Sequence, residues 1–132
     1  MDPPQLATYD YCLDAEAAPD LAAMRRWTRH VLDSAPTELV EDAVLLATEL
    51  AANAMDHAHG IRAFRIRYRD RASSVLLEID DGRPDLELHL GATSPGNTRG
   101  RGLLLVNTIS RRWGVITRGD HDKTVWADVA AT

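Results

Sequence analysis

The segment from residue 38 to residue 58 constrains the fold of this chain more than any other feature. Its apolar residues recur at intervals of three and four, which is the period of one helix face. They are Leu39, Ala43, Leu46, Ala47, Leu50 and Ala54. Thr37 is a candidate N-cap, and Gly60 stands where a C-cap glycine is expected. A helix this long has to bury its apolar face against another layer of secondary structure.

The remainder of the chain predicts a sheet as that second layer. A first helix follows Asp20, and residues 62–70 and 74–80 alternate between apolar and polar around a turn at 71–73, as two antiparallel strands do. Further expected elements are strands at 5–13, 114–118 and 123–130, a helix at about 102–112, and a long loop at 82–101. This order predicts an α+β fold: a two-layer sandwich with helices on one face of a mixed, mainly antiparallel sheet.

Composition excludes several classes of protein. A chain of 132 residues with 45% hydrophobic and 27% charged residues is typical of one globular domain. No apolar run approaches the roughly 20 residues that span a membrane, and no secretion signal is visible. Cys12 is the only cysteine, so no internal disulfide is possible. These features predict a cytoplasmic protein, and the net charge of −5 argues against direct nucleic-acid binding.

Arginines cluster at positions 62, 65, 67, 69 and 71. We interpret them as the solvated outer face of a strand, because side chains two residues apart share one face.

The long helix carries a polar stripe beside its apolar face. Glu49, Asn53 and His57 are each separated by four residues, so they lie on one side of the helix. An amide oxygen and a carboxylate are ligands that suit Mg²⁺, and a glutamate can also act as a general base. Taken alone, the stripe is equally typical of an amphipathic helix with polar shoulders.

An acidic turn follows the second of the paired strands. Asp80 and Asp81 precede Gly82, so a carboxylate is available to accept a hydrogen bond from an exocyclic amine such as that of adenine. Gly82 permits a close approach of the backbone to a ligand. Taken alone, this segment is also an ordinary solvated turn.

A Gly-x-Gly turn leads directly into the helix expected at about 102–112. Gly100 and Gly102 precede the apolar run that begins at Leu103, and Arg99 and Arg101 add positive charge. Free backbone N–H groups at a helix N-terminus bind phosphate. The pattern is neither a P-loop nor a good dinucleotide fingerprint.

The order of these motifs resembles the GHKL (Bergerat-fold) ATP-binding superfamily. The motifs are Glu-x3-Asn-x3-His, Asp-x-Gly, a long loop, Gly-x-Gly-Leu and a strand that bears Thr124. Within the superfamily, the stretches RGRGLLLVNTISRRWGV and KTVWADV resemble the anti-sigma regulatory factor/serine-protein kinase family. The resemblance covers roughly residues 20–130 and implies one ATPase domain that spans residues 1–132.

The resemblance implies a role for each matching position. Asn53 would ligate the Mg²⁺ that bridges the phosphates of ATP, and Glu49 would be the general base toward a hydroxyl. Asp80 would bind the adenine amine, with Thr124 supporting the pocket beside it. The other expected nucleotide-binding residues are His57, Gly82, Arg99, Gly100, Arg101, Gly102 and Leu103. Residues 85–99 would form the ATP lid.

Members of this family bind a sigma factor and phosphorylate a STAS-domain anti-anti-sigma partner, and the resemblance implies the same cofactors, ATP and Mg²⁺, and the same partners here. A homodimer is a further expectation, with Leu21 and Trp27 as candidate contacts. One departure from the family pattern is Pro84, which replaces the second glycine of the Asp-x-Gly-x-Gly box and fixes φ there.

Three alternatives remain open at this point. The first is an ATP-binding or partner-sequestering module without kinase activity. The second is the detached ATP-binding half of a histidine kinase, against which the short segment before the helices argues. The third is a metal site at His57 and His59, which has no third ligand nearby in the sequence.

Overall fold

The computed structural model describes residues 6–13, 20–57, 61–81, 105–118 and 122–131, and for residues 56, 57 and 118 it describes the backbone alone. Its elements are β1 (Leu6–Asp10), α1 (Leu21–Val31), α2 (Thr37–His57), β2 (Ile61–Arg69), β3 (Ser74–Asp81), β4 (Arg112–Arg118) and β5 (Asp122–Ala130). Residues 105–109 are also helical. Among these residues, no helix is long and apolar enough to cross a membrane.

The strands form one sheet in the order β1-β2-β3-β5-β4, and every neighbouring pair is antiparallel. Helix α2 packs against β2, β3 and β5, and α1 packs against α2. The α+β sandwich expected from the sequence is therefore confirmed. The sequence predicted a mixed, mainly antiparallel sheet, and its described strand pairs are all antiparallel.

The hydrophobic core lies between α2 and one side of the sheet. Side chains of β3 alternate, and Val75, Leu77 and Ile79 are fully buried in the same cluster as Leu46 and Leu50 of α2. We call this the helix-facing side of the sheet. The intervening residues of each strand point to the opposite side, which we call the outer side.

Both helices begin close to the positions that the sequence predicted. The Asp20 carboxylate accepts hydrogen bonds from the backbone N–H groups of Ala22 and Ala23, which makes Asp20 the N-cap of α1. Helix α2 begins at Thr37, where the sequence predicted an N-cap. Its first turn is closed by the hydrogen bond from the Val40 N–H to the Pro36 carbonyl.

Trp27 of α1 belongs to an aromatic cluster that joins the helices to the sheet. Its ring lies 5.2 Å from Tyr11 and 5.3 Å from Phe64, both in edge-to-face geometry. Core packing thus accounts for Trp27, which the sequence offered as a candidate dimer contact.

The sequence predicted a helix as far as about residue 112, but in the structure this helix ends at residue 109. The Ser110 N–H and hydroxyl both donate to the Val106 carbonyl, which ends the helical hydrogen bonding. The next residue, Arg111, donates its N–H to the Asp128 carbonyl at 2.7 Å and begins the pairing with β5. Strand β4 therefore starts at Arg112, two residues before the predicted start.

Candidate functional site

The polar stripe of α2 lies at the margin of the core. Glu49 and Asn53 are both half-buried, while Leu50 and Ala54 next to them are buried. Among the described residues, neither Glu49 nor Asn53 forms a side-chain hydrogen bond or ion pair. Two oxygen-bearing side chains, one helical turn apart, are thus available to a ligand at the edge of the helix layer.

Asp80 points to the outer side of the sheet. Its two carboxylate oxygens accept hydrogen bonds from Arg65 at 2.7 and 2.9 Å, and one of them also accepts the Thr124 hydroxyl at 2.6 Å. These bonds raise the pKa of the Arg65 guanidinium above its ordinary value, since they stabilise its charged form. Thr124 lies beside Asp80, as the sequence predicted, but both side chains are on the side of the sheet that faces away from α2.

Asp81 takes the helix-facing position instead. Its side chain continues the row of Leu77 and Ile79, and the residue is only 1% exposed. The Lys123 ammonium lies 3.6 Å from its carboxylate, and Lys123 is itself 2% exposed. A charged pair on the same side of the sheet as α2 is chemically suited to recognising polar groups of a ligand.

The arginine cluster is only in part the solvated face that the sequence predicted. Arg65, Arg67 and Arg69 do share the outer side, because they alternate with the buried residues of β2. Arg65 is tied to Asp80 and its side chain is 19% exposed. Arg62 does not belong to this row, because it lies three residues before Arg65; the register of β2 also shifts between Ile61 and Ala63. Arg62 pairs with Asp122 across the sheet.

Several expected site residues lie outside the described residues. These are Gly82, Pro84, Arg99, Gly100, Arg101, Gly102 and Leu103. His57 is the last residue of α2, and only its backbone is described. Among the described residues, no group of three or more acidic, histidine or cysteine side chains is arranged to hold a metal ion. Asn53 as a Mg²⁺ ligand therefore stays a prediction.

Sequence reasoning did not predict the buried pair of Asp81 and Lys123. The alternation of Val75, Leu77 and Ile79 was a signal for Asp81, because a residue two positions after Ile79 has the same orientation. Lys123 had no local signal. Its position opposite Asp81 depends on the pairing of β3 with β5.

Comparison with known proteins gives a family assignment for this arrangement. A sequence model of the histidine kinase-like ATPase domain matches residues 13–128. The matched range contains α1, α2, β2, β3 and β4 in full. No curated protein matches the chain.

Proposed function

The chain belongs to the histidine kinase-like ATPase family, and on this premise we propose that it is a Mg-ATP-dependent serine/threonine kinase that acts as a regulatory switch. Membership of the family implies ATP binding. The proposed phosphoryl acceptor is a STAS-domain anti-anti-sigma protein, and the proposed regulatory target is a sigma factor. The observation that carries the proposal is the family match over residues 13–128, which includes Glu49 and Asn53.

The nucleotide would bind between α2 and the helix-facing side of the sheet. Helix α2 packs against β3 and β5, so its polar stripe and the ends of those strands lie on the same side of the sheet. Asp81 and Lys123 stand at these strand ends, with the buried row of Ile79 and Val125 next to them. This arrangement supports a polar subsite with an apolar wall, as a nucleobase requires.

Orientation favours Asp81 over Asp80 as the carboxylate that accepts the adenine amine. The oxygens of Asp80 already accept hydrogen bonds from Arg65 and Thr124 on the outer side. Asp81 is on the same side as α2, so it is able to share a pocket with Asn53. Lys123, whose ammonium lies 3.6 Å away, would hold the Asp81 carboxylate in a fixed orientation.

The side chains of α2 fit the chemistry at the phosphates. The amide oxygen of Asn53 is a suitable Mg²⁺ ligand, and no hydrogen bond among the described residues competes for it. Bound Mg²⁺ would supply neutralisation of phosphate charge. Glu49, one turn earlier, would accept the proton of the acceptor hydroxyl. The hydroxyl oxygen then bonds to the γ-phosphorus while the bond from that phosphorus to the bridging oxygen breaks, which leaves ADP.

The alternative is a module that binds ATP or sequesters its partner without transferring phosphate. Pro84 favours this alternative, because proline removes a backbone donor at a position where the family pattern has glycine. Both proposals share the nucleotide site, so they differ only in the phosphoryl-transfer step.

Isothermal titration with ATP, with and without Mg²⁺, tests the site. We expect Asp81→Asn to weaken ATP binding by about tenfold or more, with a smaller loss for GTP, because the lost contact is to the adenine amine. Asp80→Asn is the matched control and should change the affinity less than about threefold. The assignment to Asp81 fails if Asp80→Asn has the larger effect. The metal assignment fails if Asn53→Ala leaves binding unchanged in Mg²⁺.

Phosphate transfer to a purified STAS-domain partner separates the two proposals. The kinase should add one phosphate to the partner in the presence of ATP and Mg²⁺. Glu49→Gln should abolish transfer while ATP binding is retained, because the glutamate acts on the acceptor and not on the nucleotide. Wild-type protein that binds ATP and phosphorylates no STAS candidate would establish the module without kinase activity.

A further inference from the structure

The outer side of the sheet carries a row of side chains that crosses four strands. Arg67 of β2 stands opposite Leu76 of β3, Leu76 stands opposite Asp128 of β5, and Asp128 stands opposite Arg112 of β4. None of the proposed nucleotide contacts on α2 reaches this side. Among the described residues, no helix packs on it either.

A groove of about 280 Å³ lies over this row. Arg67 and Arg69 line it at one end and Arg112 lines it at the other, while Leu76, Ile116 and Trp126 form its apolar part. The groove thus combines an apolar part with guanidinium groups at both ends, and Ser74, Glu78 and Asp128 also line it.

Gly114 allows the apolar wall of the groove to form. A Cβ atom at this position would lie 2.9 Å from the Trp126 indole, which is closer than real Cβ contacts allow. The indole therefore leans across β4 where that strand has no side chain. A larger residue at position 114 would push the Trp126 indole out of this position.

The charge that the groove presents to solvent is positive. The carboxylates of Glu78 and Asp128 are only 9% and 10% exposed, and they already pair with Arg67 and with Arg111 and Arg112. The side chains of Arg67 and Arg112 are 39% and 71% exposed. Arg69 is exposed and forms no ion pair among the described residues. An anionic occupant is therefore complementary to this surface, although the whole chain carries a net charge of −5.

The groove opens onto an edge strand. Within the described sheet, β4 has a neighbour on one side only, and it exposes Val115 at 42% and Ile116 at 47%. These exposed side chains extend the apolar part of the surface to the edge of the sheet. Arg67 and Arg112 are separated by three strand spacings, roughly 14 Å, so an occupant that reaches both should be extended and partly apolar as well as anionic.

We propose that the groove from Arg69 to β4 docks an extended acidic segment of a protein partner, in which carboxylates at the two ends flank aliphatic side chains. A nucleic acid fits less well, because the apolar side chains of the groove offer no contact to a phosphate backbone and the chain is acidic overall. A second copy of the chain also fits less well, because a symmetric contact would bring exposed arginines together.

Fluorescence anisotropy with labelled peptides tests the proposal. The probe is a ten-residue peptide with glutamates at both ends and valines between them, and the control probe has lysine in place of glutamate. We expect the acidic probe alone to bind, and Arg69→Glu and Arg112→Glu each to weaken its binding by about tenfold. The matched control variant is Arg29→Glu, which makes the same charge change on α1, where Arg29 pairs with Glu41. It should change the affinity less than about twofold.

Four outcomes would overturn the proposal. The first is equal binding of the acidic and basic probes, and the second is equal weakening by Arg29→Glu and the groove variants. The third is a single-stranded oligonucleotide that binds and loses affinity in the groove variants while the acidic peptide does not bind. The fourth is concentration-dependent dimerisation in sedimentation that Arg69→Glu abolishes, without peptide binding. Circular dichroism of each variant confirms that it is folded before binding is compared.

Discussion

Asp80 and Asp81 are neighbours in the chain but lie in different environments on the two sides of the sheet. On the outer side, Asp80 is held by Arg65 and Thr124 and its side chain is 22% exposed. On the helix-facing side, Asp81 is 1% exposed and lies 3.6 Å from the Lys123 ammonium. The alternation of the strand thus gives these adjacent carboxylates different surroundings. Asp80 forms several hydrogen bonds on the outer side, and Asp81 is buried at the proposed ligand site.

This difference shows that a residue's place in a sequence motif does not by itself determine which pocket its side chain faces. The acidic turn places two carboxylates next to each other, and only Asp80 satisfies the Asp-x-Gly pattern. Only one of them is able to face α2, because successive side chains of a strand point to opposite sides.

The largest expected effect on the free energy of unfolding comes from removing the Lys123 cation on the helix-facing side. Lys123→Met removes a cation from beside the buried Asp81 carboxylate, and breaking a buried ion pair in this way costs about 4 kcal/mol of unfolding free energy. Urea denaturation measures the loss. The double variant Asp81→Asn with Lys123→Met should recover part of it, because the carboxylate charge that Lys123 balanced is then gone.

Arg65→Met is the matched change on the outer side. Its cost should be smaller, at about 2 kcal/mol, because Asp80 keeps the Thr124 hydroxyl and access to water. If Arg65→Met costs as much as Lys123→Met, the two sides do not differ in burial as the structure indicates.

Leucines 76 and 77 give a second comparison of the two sides. Leu77→Ala should lower the free energy of unfolding by about 3 kcal/mol, because Leu77 is fully buried beneath the helices and its loss leaves a cavity. Leu76→Ala, on the half-buried outer side, should cost about 1 kcal/mol. Denaturation curves of the two variants measure this difference. Equal losses would mean that the outer side is packed as densely as the core.

The smallest effect is the pH dependence that Tyr68 contributes. Burial on the helix-facing side raises the pKa of the Tyr68 hydroxyl above its ordinary value of 10.0. The folded chain therefore keeps this proton where the unfolded chain has lost it, so stability falls as the pH rises above about 10. Tyr68→Phe should remove this part of the decline, at most about 1.4 kcal/mol per pH unit. The prediction is wrong if the free energy of unfolding declines equally for the variant and the wild type between pH 9 and 11.

The local sequence determined the helices and strands to a large extent. Apolar spacing located α2 to within one residue at each end, and alternation around the turn at 71–73 located β2 and β3. The start of α1 directly after Asp20 was also predicted, and capping by Asp20 depends only on residues two or three positions away. These features are local, so the sequence contains their causes.

Only the tertiary structure decided what the polar residues contact. Lys123 lies opposite Asp81, and Arg65 reaches Asp80, because β3 is placed between β2 and β5 in one register. The end of the helix before β4 was likewise decided by a partner strand, since the Arg111 N–H bonds to Asp128. Strand order and register arise from packing between distant segments, and no spacing within a single segment encodes them.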